Sequence, residues 1–194
     1  MESLDELLAQ AEAAHGHMCP GQILGVRMAL LGLKHLGIDD PRGADRKRVV
    51  TFVEIDRCAT DAIGTVTGCR VGKRTLKLRD WGKMAATFVD LSTSRAVRIL
   101  ALENSRELAR SLYPHIENKS AQQMAAYREL PDEQLFRVHD VIVNVDPSEL
   151  PGFKGERFTC PNCGEGVNFG RFREVNGQRL CLSCAQPEIR YWRS

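Results

Sequence analysis

Two imidazoles and a thiol stand at alternate positions in the run His15-Gly16-His17-Met18-Cys19-Pro20-Gly21. If the backbone is extended there, His15, His17 and Cys19 leave the same side of the chain and converge on one point. Such a set suits zinc, iron or another borderline divalent ion. Pro20 belongs in the first turn of a helix, where its missing N–H costs nothing, which leaves Cys19 at or beside the cap. Unpaired amides and the positive end of the helix favour an anion at that place. Further along, Cys58 and Asp61 fall where a β-branched run hands over to a helical pattern, a junction at which α/β elements commonly present ligands and catalytic groups. Three protein ligands would leave a position open for water or substrate, with Asp61 or His15 moving protons. Arg27 follows Cys19 by about two turns of helix and is a candidate either to bind an anionic ligand or to pair with a carboxylate.

The run Gly68-Cys69-Arg70-Val71-Gly72-Lys73 invites comparison with a phosphate-binding loop. It has three residues between the glycines where four are needed, and Arg74 stands where Ser or Thr should follow the lysine. What remains is a cationic turn through which Lys73 could touch an anionic ligand.

A second set of thiols lies near the end. Cys160-Pro161-Asn162-Cys163 and Cys181-Leu182-Ser183-Cys184 are Cys-x-x-Cys knuckles separated by 17 residues, and together they make a closed tetrahedral site for structural zinc. Between them, Asn176-Gly177 is the pair most favoured in a two-residue hairpin turn, so the module reads as a zinc ribbon or treble clef. So short a module buries little, and metal binding must supply much of its folding free energy. From residue 151 onward seven Lys and Arg face four Asp and Glu, and four thiolates with one zinc ion reduce that excess to about +1. The field is too weak to argue for nucleic acid as a partner.

The elements that must position these groups are legible in outline. Leu4, Leu7, Leu8 and Ala11 predict an amphipathic helix over residues 3 to 14, which delivers the chain to His15. From 20 to 36 apolar residues cover most of the circumference, marking a helix buried on several sides, and Gly21, Gly25, Ala29 and Gly32 form a stripe that admits another backbone or a ligand closely. Strands are predicted over 48 to 56, 75 to 79, 83 to 91, 96 to 102 and 139 to 145, with helices over 59 to 67, 104 to 112 and 119 to 130. Asp80-Trp81-Gly82 reads as a hairpin turn pairing the second and third strands antiparallel. The expected fold is α+β, a mainly antiparallel sheet flanked by helices over residues 1–150, followed by the zinc module over 151–194.

Composition agrees with a folded protein, since 43% hydrophobic residues in 194 can bury a core and the net charge of +2 demands no polyanionic partner. The longest apolar runs fall well short of the ~18 residues needed to span a bilayer, and the acidic start is unlike a secretion signal. With seven cysteines, four of them in metal-type pairs, a cytoplasmic protein with reduced thiols is expected.

Several of these blocks, in this order, resemble the FmdE family, a component of formylmethanofuran dehydrogenase. They are His15-Gly-His17-Met-Cys19-Pro20-Gly21, Gly25 and Arg27, Cys58-Ala-Thr-Asp61-Ala62-Ile63, Thr67-Gly68-Cys69, Gly72-Lys73 and Trp81-Gly82-Lys83. The resemblance covers roughly residues 10 to 145. It implies an α+β domain in an intertwined homodimer, with the motif residues lining a cavity. It also implies a divalent ion, zinc or iron, held by His17, Cys19 and Cys58, with His15 and Asp61 next in rank and Cys69 standing behind them or serving structure. In the parent complex the molybdenum or tungsten cofactor and the formyl chemistry belong to other subunits, so the expected role is accessory or regulatory, with those subunits as possible partners. A stand-alone metal-dependent enzyme is the alternative, and a regulator binding nucleic acid or protein through the finger is the third.

Overall fold

The computed structural model describes residues 2–192, which form two compact units divided between Asn144 and Val145. In the first unit, helix α1 (Leu4–His15) opens with a capping box, in which the Ser3 hydroxyl accepts from the Glu6 amide while the Glu6 carboxylate accepts from the Ser3 amide. Helix α2 (Pro20–Leu36) is the centre of the unit. Ile23, Val26, Met28, Ala29 and Leu33 on it are fully buried, which agrees with an apolar pattern covering most of its circumference.

Strand β1 (Val49–Val53) leads into helix α3 (Cys58–Thr67), and the chain then returns through a 3-10 turn at Val71–Lys73 to strand β2 (Leu76–Leu78). Strands β3 (Ala85–Asp90) and β4 (Ala96–Ala101) follow, then helices α4 (Ser105–Leu112), α5 (Lys119–Glu129) and the single turn α6 (Asp132–Leu135), and last strand β5 (Phe136–Val141). The sheet order is β2-β1-β3-β4-β5, antiparallel except for the parallel pair β1/β2. Helix α2 packs on β3 and β4, where Phe88, Val97 and Ile99 meet its apolar side. The fold is α+β, as strand patterns in one block with helical patterns on the flanks predict.

Two predicted strands differ from those observed. Strand β2 makes no hairpin with β3, because β1 lies between them. The turn at Trp81-Gly82 does form, with Gly82 at φ 64°, but it carries the chain across the end of β1, where the Trp81 and Lys83 amides both donate to the Glu54 carbonyl. The last strand starts three residues earlier than the β-branched run suggests and stops at Val141. Its register is set by β4, whose first residue Ala96 pairs with Val141. Beyond that point there is no partner strand, and Ile142 is 92% exposed.

The second unit holds two small hairpins, β6 (Phe158–Thr159) with β7 (Gly166–Val167) and β8 (Phe172–Val175) with β9 (Gln178–Cys181), and the single turn α7 (Leu182–Ala185). Asn176 and Gly177 take φ of 51° and 75°, the left-handed pair that a two-residue Asn-Gly turn demands. Among the described residues no helix is long and apolar enough to cross a membrane.

Candidate metal centres

The first cluster forms where α1 ends and α2 begins. His15 is the last residue of α1, and Gly16 turns the chain in the left-handed region at φ 94°. The run is therefore not extended from its first residue, as the alternation argument requires. Cys19 has the extended geometry expected of a cap, with φ −148° and ψ 166°, and it begins α2 without a side-chain hydrogen bond to the free amides. The reversal at Gly16 brings His15 back over His17, with ring centroids 4.8 Å apart. One ligand atom from each of His15, His17 and Cys19 lies within 4.8 Å of the others.

Helix α3 supplies the rest. Its first residue is Cys58, and Asp61 sits one turn on. Nδ1 of His15 lies 2.9 Å from Oδ2 of Asp61. A carboxylate that accepts from Nδ1 would leave Nε2 free to face an ion, the arrangement by which carboxylates orient metal-binding imidazoles. The Cys58 thiol lies beside that of Cys19 across Gly21, outside the group of three, and it is pushed up by burial and then by its thiol neighbour. A divalent cation between the two sulfurs would remove that conflict.

Small residues make the approach of the helices possible. A methyl group at Gly21 would stand 3.2 Å from Cys58 Cβ and 3.7 Å from Cys19 Sγ, and one at Gly25 would stand 2.5 Å from the Ala59 carbonyl oxygen. The stripe of small residues in α2 thus receives the backbone of α3.

The rim of the cluster is open, since His17 is exposed and His15, Cys19 and Cys58 are half-buried. Beside it lies a cleft of about 470 Å³ lined in part by Thr60, Asp61, Thr65, Arg70 and Leu76, with the buried Cys69 at its base. Cys69 faces the Val49 carbonyl and the Thr51 hydroxyl. Lys73 is exposed on the 3-10 turn, and Arg70 is the cation that lines the cleft. Arg27 lies elsewhere. Its guanidinium donates to the Tyr127 and Leu130 carbonyls at 2.8 and 2.6 Å and to Asp132, tying α2 to the end of α5.

In the second unit the four sulfur ligand atoms of Cys160, Cys163, Cys181 and Cys184 lie within 4.8 Å of one another, and Cys163 and Cys181 are separated by 3.8 Å. Sulfurs held ~2.3 Å from one tetrahedral ion stand ~3.8 Å apart, so the cage has the size zinc requires. The Cys181 amide, opposed by burial and aided by the Cys163 and Asn162 amides, brings the Cys160 thiol down to about 6. For Cys163 the Glu165 amide favours the thiolate, but loss of solvent and the sulfurs of Cys160, Cys184 and Cys181 push it up to about 12. Four thiols this crowded ionise together only around a cation.

Comparison with known proteins decides the lineage. Residues 14–139, well over half of the chain, match the family described as FmdE, Molybdenum formylmethanofuran dehydrogenase operon. This chain belongs to the FmdE family. The matched segment of this FmdE-family chain contains the whole first cluster, and residues 155–190 match the Prokaryotic dksA/traR C4-type zinc finger, which contains all four cysteines of the second. A Probable S-adenosyl-L-methionine-binding protein of Archaeoglobus fulgidus is 31% identical over 94% of this chain and 53% of its own length, so the chain spans about half of that curated relative. The crystal structure of a tungsten formylmethanofuran dehydrogenase FmdE-like protein from Syntrophus aciditrophicus shares the fold, at a TM-score of 0.65 and 23% identity, over 97% of this chain and 95% of that one. The C-terminal module of this FmdE-family protein is thus a zinc-binding four-cysteine finger, and the first unit carries a possible metal-binding group of His and Cys.

Sequence patterns give no warning of one neighbour of the first cluster. Gln22, one turn into α2, is fully buried and donates from Nε2 to the Cys58 carbonyl at 2.6 Å.

Proposed function

We propose that this protein binds a zinc or iron ion at its N-terminal cluster and acts as an accessory or regulatory component of a molybdenum or tungsten formylmethanofuran-type dehydrogenase. The observation that carries the metal reading is the convergence of His15, His17 and Cys19 within 4.8 Å at an open rim. Cys58, set beside Cys19 across Gly21, is a further candidate donor outside that group of three, and Asp61 orients His15. When bound, such an ion supplies Lewis acidity and lowers the pKa of a coordinated water. Family membership supports the link to the dehydrogenase. The two Cys-x-x-Cys pairs support a reducing, cytoplasmic location, and the resemblance supports a homodimer, which light scattering of the purified chain tests.

Element analysis of the full chain and of Cys19→Ser tests the metal reading. Two metal equivalents are expected in the parent and one in the variant, the remaining ion being the finger's. Equal metal content in both would refute the assignment. Reconstitution of the dehydrogenase with and without the chain tests the accessory role, which requires its activity or metal loading to rise when the chain is present.

A second reading, ligand binding beside the metal, is supported by the Archaeoglobus relative and by the cleft. Its volume of about 470 Å³ falls in the ~300–1,000 Å³ range of small-molecule sites, and Asp61 and Arg70 offer opposite charges to a zwitterion. Calorimetric titration with S-adenosyl-L-methionine tests it, and absence of heat at millimolar ligand would dismiss it.

A further inference from the structure

We infer that Gln22 is a positioning residue of the N-terminal metal centre, fixing the start of α3 so that the Cys58 thiol meets Cys19. The inference rests on the metal reading of that cluster and extends it to a side chain that holds no metal itself.

Gln22 is a polar side chain with no exposed surface in a helix whose other buried residues are mostly apolar. Burying an amide costs free energy unless its groups are bonded, so such a residue needs a reason. Its Nε2 donates to the carbonyl of Cys58 at 2.6 Å, and its Oε1 has no hydrogen-bond partner among the described residues. The orientation of the amide is settled by chemistry, because a carbonyl oxygen accepts only and must face the NH2 group. A leucine or methionine would fill the volume without an orphaned acceptor, so packing alone does not account for a glutamine here.

What the bond does is visible in the geometry of the two helix starts. Cys58 is the first residue of α3, and its N-cap, Arg57, gives no side-chain hydrogen bond to the helix. Gly21 brings the chain of α2 to within contact of Cys58 Cβ and the Ala59 amide. Gln22, the next residue, ties the backbone of Cys58 to α2 from within the core. The thiols of Cys19 and Cys58 are then set by a rigid strut three residues from one and bonded to the backbone of the other. Supports of this kind, which orient a ligand without touching the ion, are worth roughly 10–100-fold in metal affinity.

Gln22→Met and Gln22→Leu are measured together in the full chain preloaded with one equivalent of zinc, which the finger retains, and titrated with cobalt(II). Both variants lose the donor while filling much of the volume of the side chain, and circular dichroism with a thermal scan identifies which of them are folded. The folded variants are expected to bind cobalt(II) roughly 10–100-fold more weakly than the parent and to show a weaker thiolate-to-cobalt absorption at saturation, with the zinc content unchanged. Parent affinity and parent absorption in a folded variant would overturn the role of Gln22 and leave the metal centre intact. A parent chain that gives no thiolate-to-cobalt band after zinc loading would overturn the metal reading and the inference with it.

Discussion

The imidazole of His15 is the group whose behaviour depends most on a single partner. Asp61 is 63% exposed at its side chain, so its value lies less in Coulomb attraction, which water screens, than in fixing which ring nitrogen carries the proton. Asp61→Asn keeps the shape but lets the ring choose either tautomer. We expect a loss of roughly 10–100-fold in N-terminal metal affinity with little change in the thermal transition, measured by chelator competition against the parent. The residue types and spacing of this cluster were legible because Cys and His rarely gather at alternate positions without purpose. How they converge was not. His15 belongs to α1, and it is the reversal at Gly16, a torsion no spacing rule specifies, that returns it to the group. Arg27 teaches the same lesson, since sequence leaves either reading of it open and it is the Asp132 carboxylate, with the carbonyls of Tyr127 and Leu130, that decides between them. Gln22 left no trace in the pattern, for a lone amide in an apolar helix has no periodicity to announce it.

Among the elements, the pair α2 and α3 carries the centre, and their separation is set by the absence of a side chain. A Cβ at Gly25 would lie 2.5 Å from the Ala59 oxygen and 2.8 Å from its Cα, both backbone atoms that cannot turn aside. Gly25→Ala must therefore push the helices apart. A loss of about 1–3 kcal/mol is expected in urea denaturation, together with weaker N-terminal metal binding because Cys58 rides on α3. An unchanged denaturation midpoint would show that the two helices can slide without cost. The stripe of small residues was readable from sequence, and so were most element boundaries, since these follow from local periodicity. Strand partners were less so. The signal at Asp80-Trp81-Gly82 correctly marks a turn, but β2 pairs with β1 because the α3 crossover returns it parallel, and such long-range choices are invisible in a local run. Likewise, residues 142 to 145 have the β-branched character of a strand, but β4 is too short to pair with them.

At the scale of the molecule, the two units differ in what holds them. The first has a continuous apolar core, whereas the second gathers its buried residues around Cys160, Cys181 and Cys184. Truncation after Leu150 should leave the thermal transition of the first unit within a few degrees, and a strong chelator should abolish the hairpin signal of the second alone. Loss of the first transition on truncation would mean that the units fold as one. Acid should act on both units, by protonating the zinc ligands of the second and the paired carboxylates of the first. Burial alone would raise the Asp90 carboxyl, but the Arg48 guanidinium and the Ser92 and Thr93 hydroxyls hold it well below the usual carboxylate range. A carboxyl depressed in the folded state stabilises above its unfolded value of ~3.9, and that stabilisation is lost as pH falls toward the folded value. Denaturation midpoints should thus be flat from neutrality to about pH 5 and drop below about pH 4, and Asp90→Asn should flatten that drop while lowering neutral stability by about 3 kcal/mol. An ion held between the adjoining starts of α2 and α3 would tie the stability of the first unit to its supply. Cys19 and Cys58 are 39 positions apart, so an ion gripping both would close a loop whose lost freedom in the unfolded chain is worth about 4 kcal/mol. Scarcity of the ion would then register as faster proteolytic turnover, making the cellular abundance of this protein a gauge of metal supply.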